Sequence, residues 1–103
     1  MIASVVDGAG LGVQAAEGVG VGRVAREIAP RRINAVSPGL IETGWWDVLP
    51  EDARQATFDQ FANQTPVGRN GTAEDVAHAI CAVVGNDYIN GVVLPCDGGL
   101  RLT

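Results

Sequence analysis

The chain has 103 residues, a formal charge of −5, 47% hydrophobic residues and 5% aromatic ones. That length allows one small domain at most, and that hydrophobic share argues against disorder. The acidic balance disfavours nucleic acid, whose affinity needs clustered Lys and Arg, and the sequence offers neither a bilayer-length apolar stretch nor a secretion signal.

Met1–Val6 is a short apolar run, read either as a strand stump or as an ordinary frayed terminus, with the second preferred. Glycines then crowd positions 8–22: Gly8, Gly10, Gly12, Gly18, Gly20 and Gly22. Val13, Ala16, Val24 and Ile28 follow a helical period through this stretch, interrupted by Glu17 and Gly20. Arg23, Arg26, Arg31 and Arg32 form a basic patch, which reads as a solvated helix end beside its dipole. Ile33, Ala35 and Val36 suit a buried parallel strand over about 32–37. Pro38 cannot donate to a ladder and Gly39 permits close backbone approach, so the strand stops there. Ligands of open α/β sheets sit beyond the carboxyl ends of strands, which would place Leu40–Thr43 along a crevice.

Gly44-Trp45-Trp46-Asp47 opens a flexible region. An amphipathic helix is expected over about 50–62, with Pro50 near its start, Glu51 and Asp52 in its first turn, and Ala53, Ala56, Phe58 and Phe61 as its apolar side. Thr65–Thr72 reads as a loop. Thr72 caps the next helix, and Asp75 plays the reciprocal role less well than Glu would. That helix is expected over about 73–84, its stripe formed by Val76, Ala77, Ile80, Val83 and Val84. Gly85-Asn86 ends it, Asn90-Gly91 makes a turn, and a short strand covers about 91–95 before Asp97-Gly98-Gly99 closes the chain. Cys81 and Cys96 read as reduced thiols. His78 and Cys81 are three apart, but two ligands do not make a zinc site, so no metal is expected.

Asn34-Ala35-Val36-Ser37-Pro38-Gly39 with Thr43 resembles the second half of a short-chain dehydrogenase/reductase. Three further pieces agree with that family: Glu27-Ile28-Ala29-Pro30, Thr65-Pro66-Val67-Gly68-Arg69 followed by Ala73–Ala77, and Gly91–Leu94 with Asp97–Gly99. The resemblance implies an α/β fold, a single partial Rossmann-like domain over 1–103. It would be the C-terminal helix–strand–helix–strand part of a doubly wound parallel sheet, with a long helix over about 10–29. The glycines then run on inside a helix, which argues against a phosphate-binding turn at Gly8–Gly10 or Gly18–Gly20. Each would cost that helix roughly 0.5–1 kcal/mol relative to Ala.

By the same resemblance NAD or NADP is the cofactor. Pro38, Gly39, Ile41 and Thr43 would hold its nicotinamide carboxamide through backbone groups and the Thr hydroxyl. Trp45, Trp46, Phe58 and Phe61 would form a lid over the substrate, or else simply cover the core edge. The family's catalytic Tyr and Lys fall at Gly10 and Gln14. The chain has no Lys, and its single Tyr is Tyr88. No catalytic residue is therefore assigned, since acid–base chemistry needs a titratable group in reach of the substrate. Ser4 is a possible but unassigned remnant of the family's Ser. Gly18 and Gly22 could meet a twin helix in a dimer, and the segment from Leu94 to Gly99 would lie near a subunit interface.

Two function classes follow. One is an NAD(P)-dependent oxidoreductase acting on a small carbonyl or alcohol, represented by its C-terminal half and inactive alone. The other is a non-catalytic oligomerisation or interaction module, or a truncated remnant of the family. Two parallel strands would leave an open edge on the 33–37 strand, so a second copy, a partner chain or a longer parent should complete the sheet. Neither nucleic acid nor membrane is an expected partner, and the compartment is expected to be cytoplasmic.

Overall fold

The computed structural model describes residues 3–6 and 18–103. Their order is β1 (Ala3–Val6), α1 (Gly18–Glu27), β2 (Ile33–Pro38), a 3₁₀ turn (Gly44–Val48), α2 (Glu51–Gln64), α3 (Ala73–Val84), β3 (Val93–Cys96) and a second 3₁₀ turn (Leu100–Leu102). The fold is α/β, a partial Rossmann-like arrangement. Gly10, Gln14, Val13 and Ala16 lie outside the described residues.

β2 is the centre of the sheet. Ile33, Ala35 and Val36 are almost wholly buried, as expected of a strand covered on both faces. β3 runs parallel to it, with Ala35 opposite Val93 and Pro38 opposite Cys96. The other edge of β2 was expected to be open. It is instead covered by β1, which runs antiparallel with Ala3 opposite Val36. The apolar run at the terminus is thus a strand, and the backbone groups of β2 find partners within the chain. Among the described residues the strand order is β1-β2-β3. β3 ends it, and its exposed Pro95 blunts that edge.

α1 packs on the sheet through Val21 and Ala25, both buried, with Val24 and Ile28 half-buried beside them. Val21 and Ala25, four apart, carry most of this face, which the expected stripe through Val24 and Ile28 had left out. Full burial of a side chain the size of Val21, Val36 or Ile33 is worth roughly 1.5–3 kcal/mol. Gly91, at φ 76, brings the loop before β3 against this helix: a Cβ added there would lie 3.4 Å from Ala25 Cβ. That left-handed residue delays the strand, which begins at Val93 rather than at 91.

Arg23, Arg26 and Arg31 are exposed, as the reading of a solvated basic patch expects, but Arg32 departs from it. It is 8% exposed, and its guanidinium reaches the C-terminal end of α3. Nη1 donates to the carbonyls of Val83 (3.3 Å), Asn86 (3.0 Å) and Ile89 (2.7 Å), and Nη2 to Val84 (3.0 Å). The carbonyls of Val83 and Val84 are among those that a helix end leaves without intrahelical donors, and those of Asn86 and Ile89 belong to the loop that follows. Asn34 extends the latch: its Nδ2 donates to the Ile89 carbonyl and its Oδ1 accepts from Val92 N–H. The start of β2 thereby fixes both the end of α3 and the entry to β3.

At its other end α3 carries a complete capping box. The Thr72 hydroxyl accepts from Asp75 N–H and the Asp75 carboxylate accepts from Thr72 N–H. Both bonds of the box are made with the shorter Asp. Along the helix Val83 is buried, but Ala77 and Val84 are exposed rather than part of the stripe. α2 has no buried residue. Phe58 and Phe61 are half-buried, while Ala53 and Ala56, expected on its apolar side, face solvent.

Candidate functional site

The segment leaving β2 is shaped by close backbone approaches. Gly39 N–H donates to the Cys96 carbonyl at 3.1 Å. A Cβ at Gly39 would come within 2.9 Å of Asp97 Cα, so only glycine lets the tip of β2 lie against the turn after β3. Ile41 then forms a parallel bridge with Gly71. Gly71 N–H donates to the Leu40 carbonyl and Glu42 N–H to the Gly71 carbonyl, each at 3.0 Å. A side chain on Gly71 would collide with Ile41 Cδ1.

This bridge turns the two backbone groups of Ile41 the other way. Its carbonyl accepts from the Trp46 indole N–H at 3.0 Å. Its N–H has no partner among the described residues. Thr43 is exposed, and its hydroxyl does not cap the 3₁₀ turn that follows. The segment thus presents one open donor and one open hydroxyl, two residues apart.

The aromatic residues gather beside it. Trp46 meets Phe58 edge-on with ring centroids 5.8 Å apart, and Trp45 meets Trp46 at 5.0 Å. Trp45 is 67% exposed. Phe61 lies one turn further along α2. Asn70, 8% exposed, joins the two parts: its Nδ2 donates to Glu42 Oε1 at 2.9 Å and to the Phe58 carbonyl at 2.8 Å. Its Oδ1 is buried without a partner, a cost of about 1–3 kcal/mol. Nothing in the local sequence around Asn70 signals this role, because both partners come from distant elements.

A separate cleft of about 510 Å³ opens beyond the carboxyl ends of β2 and β3, bounded by the 65–71 loop, the first turns of α3 and the turn after β3. Of the site residues expected from sequence only Ile41 lines it. Pro38, Gly39, Thr43 and the four lid aromatics do not. Its charges are paired. The Arg69 guanidinium, together with Thr72 N–H, holds the Asp75 carboxyl well below the usual range, and Asp75 in turn raises Arg69. Burial pushes Asp97 up, but the N–H groups of Gly99 and Arg101 and the Arg101 guanidinium more than offset it, so its carboxyl is lowered. Burial, reinforced by Asp75 and Asp97, pushes the Cys96 thiol up, the opposite of an activated nucleophile. His78 and Cys81 are exposed, and among the described residues no three side chains gather as a metal site. Tyr88 is fully exposed in the turn between α3 and β3. That turn meets the start of β2, so Tyr88 stands at the opposite end of the strand from Thr43.

The pattern of the family described as enoyl-(acyl carrier protein) reductase matches residues 19–101. A short-chain dehydrogenase/reductase of Acremonium, ucsE, is 36% identical over 76 residues, covering 74% of this chain and 29% of that protein. The chain belongs to the short-chain dehydrogenase/reductase family. Two further relatives of this short-chain dehydrogenase/reductase chain are 3-oxoacyl-[acyl-carrier-protein] reductases. FabG of Thermotoga maritima is 41% identical over 80 residues (74% of this chain, 31% of that protein), and the Rattus norvegicus protein is 40% identical over 82 (78% and 32%). A small-chain dehydrogenase in complex with NADPH superposes with a TM-score of 0.80 at 36% identity, over 84% of this chain and 39% of that one. A Caenorhabditis elegans short-chain dehydrogenase/reductase with cofactor gives 0.74 at 29% identity, over 84% and 35%. The chain spans about a third of the length of the curated relatives it matches. Among the described residues no helix is long and apolar enough to cross a membrane.

Proposed function

We propose that the chain supplies one wall of the nicotinamide site of an NAD(P)-dependent oxidoreductase that interconverts a small carbonyl and an alcohol. The observation that carries this reading is the pair of open groups after β2. A carboxamide offers an acceptor oxygen and a donor nitrogen. The Ile41 N–H would donate to the first, and the Thr43 hydroxyl would accept from the second. Pro38 and Gly39 set the direction in which the segment leaves the strand. The nicotinamide, when bound, supplies or accepts the hydride. This chain's residues bind and orient it, while Trp45, Trp46, Phe58 and Phe61 offer an apolar side toward the substrate. The likeness to an NADPH-bound dehydrogenase supports the cofactor class.

Proton transfer needs groups from elsewhere. The chain has no Lys, and Tyr88 stands at the wrong end of β2. The remaining wall, the phosphate grip and the acid–base pair would come from a longer parent or from a partner chain, and self-association is part of this proposal. The two free cysteines fit a reducing, cytoplasmic compartment.

Titrating NADH and NADPH against the chain while following nicotinamide fluorescence tests the reading. Saturable binding that Thr43→Val weakens is expected. Unchanged fluorescence up to about millimolar protein, a free energy of only about −4 kcal/mol, would contradict it. The second reading, a non-catalytic association module, is favoured by the exposed apolar side chains Val84, Tyr88 and Leu102. Tight cofactor binding, or sedimentation as a monomer, would count against that module.

A further inference from the structure

α2 sits on the fold without a buried residue of its own, yet two side chains from outside it tie it to the strand-tip segment. Trp46 donates its indole N–H to the Ile41 carbonyl at 3.0 Å and lays its ring against Phe58 of α2 at 5.8 Å. Asn70 donates to Glu42 Oε1 at 2.9 Å and to the Phe58 carbonyl at 2.8 Å. Both routes begin on consecutive residues of one segment, Ile41 and Glu42, and both end on one residue of α2. They form a closed circuit of four contacts around Phe58. Its third support is the backbone bridge that holds Ile41 and Glu42 to Gly71, next to Asn70.

We infer that Trp46 and Asn70 are positioning residues that couple α2 to the segment Leu40–Thr43, so that the aromatic side of the helix and the open groups of Ile41 and Thr43 move as one body. The amide of Asn70 is oriented by its two acceptors, and this orientation leaves Oδ1 buried without a partner. A hydrophobic residue of similar size would avoid that penalty and would lose the link. The importance of this coupling for a cofactor rests on the nicotinamide reading above. The coupling itself does not, and it can be measured with no nucleotide present.

The two tryptophans allow a direct test. In a Trp45→Phe background the emission of the chain comes from Trp46 alone. Asn70 makes neither a hydrogen bond nor a ring contact with Trp46. Coupling predicts that Asn70→Leu nonetheless shifts Trp46 emission to the red, raises its quenching by acrylamide, and speeds amide exchange at Glu42 and Gly71 roughly tenfold through local opening. Glu42→Ala, a surface substitution that removes one of the two acceptors, should move all three readouts in the same direction by a smaller amount. It decides the matter if Asn70→Leu fails to fold. Emission, quenching and exchange that stay unchanged in Glu42→Ala and in a folded Asn70→Leu would overturn the inference. NADPH titration of the same variants separates the two proposals: a chain that shows the coupling but binds no nucleotide keeps this inference and loses the nicotinamide reading.

Discussion

The β2–α3–β3 unit and the α2 arm are built on different physics, though only a short segment separates them. The first buries Ile33, Ala35, Val36 and Val83 and stitches its ends with side chains: Arg32 and Asn34 at one end, the Thr72–Asp75 box at the other. The second buries nothing and is held by ring edges, the Asn70 amide and an exposed Arg54–Asp47 pair at 2.9 Å. A frame that supplies its own core and caps holds its shape without neighbours. An arm held by a few directional contacts opens at lower cost. The open groups of Ile41 and Thr43 lie at the seam, where the bridge to Gly71 joins their segment to the frame and Trp46 and Asn70 join it to the arm.

Breaking the frame should cost most at Arg32. Arg32→Met keeps the aliphatic stem but removes the guanidinium donor from four carbonyls, of which Asn86 keeps Ile89 N–H and Ile89 keeps Asn34 Nδ2, while Val83 and Val84 at the end of α3 lose theirs. A loss of about 3 kcal/mol or more is expected in urea unfolding. Thr72→Ala removes one half of the capping box and should cost about 1 kcal/mol, read as a fall in the same midpoint.

The Asp75–Arg69 pair sharpens the comparison through pH. The Asp75 carboxyl is held below its ordinary value, so its contribution is present above the usual carboxylate range. That contribution is lost as pH falls through that range toward the depressed pKa. The gap in Tm between the chain and Asp75→Asn should be full near neutral pH and narrow below about pH 4. The smallest effect belongs to the arm: Ala56→Glu on the exposed face of α2 should change stability by less than about 0.5 kcal/mol. A large loss there would mean that α2 is a core element and that the contrast is wrong.

The sequence made the frame legible where the signals were local. The Thr72 cap, the apolar run at Ile33–Val36 and the Pro38-Gly39 stop each depend on a few adjacent residues. Arg32 was unreadable because its partners lie more than fifty positions away, and its neighbours Arg23, Arg26 and Arg31 made it look like surface charge. Val21 and Ala25 were hidden by Gly18, Gly20 and Gly22, which crowd the start of the helix. β1 was hard to place because a four-residue strand carries almost no periodic signal, and its antiparallel pairing depends on distant β2. Pro38, Gly39, Ile41 and Thr43, the residues proposed to meet the nicotinamide, were named from a motif. Asn70 and Trp46 owe their roles to contacts that join Phe58 of α2 to the strand-tip segment, and Gly71 to its bridge with Ile41, none of which a local motif shows.

The backbone amide of Ile41 offers the most direct test of the central claim that the seam holds a nicotinamide carboxamide. Its NMR resonance should shift progressively on titration with NADPH, and likewise with nicotinamide mononucleotide, and Thr43→Val should weaken both responses. A titration in which Ile41 stays still while Asp97 and Arg101 in the neighbouring cleft respond, or in which nothing responds, would contradict it.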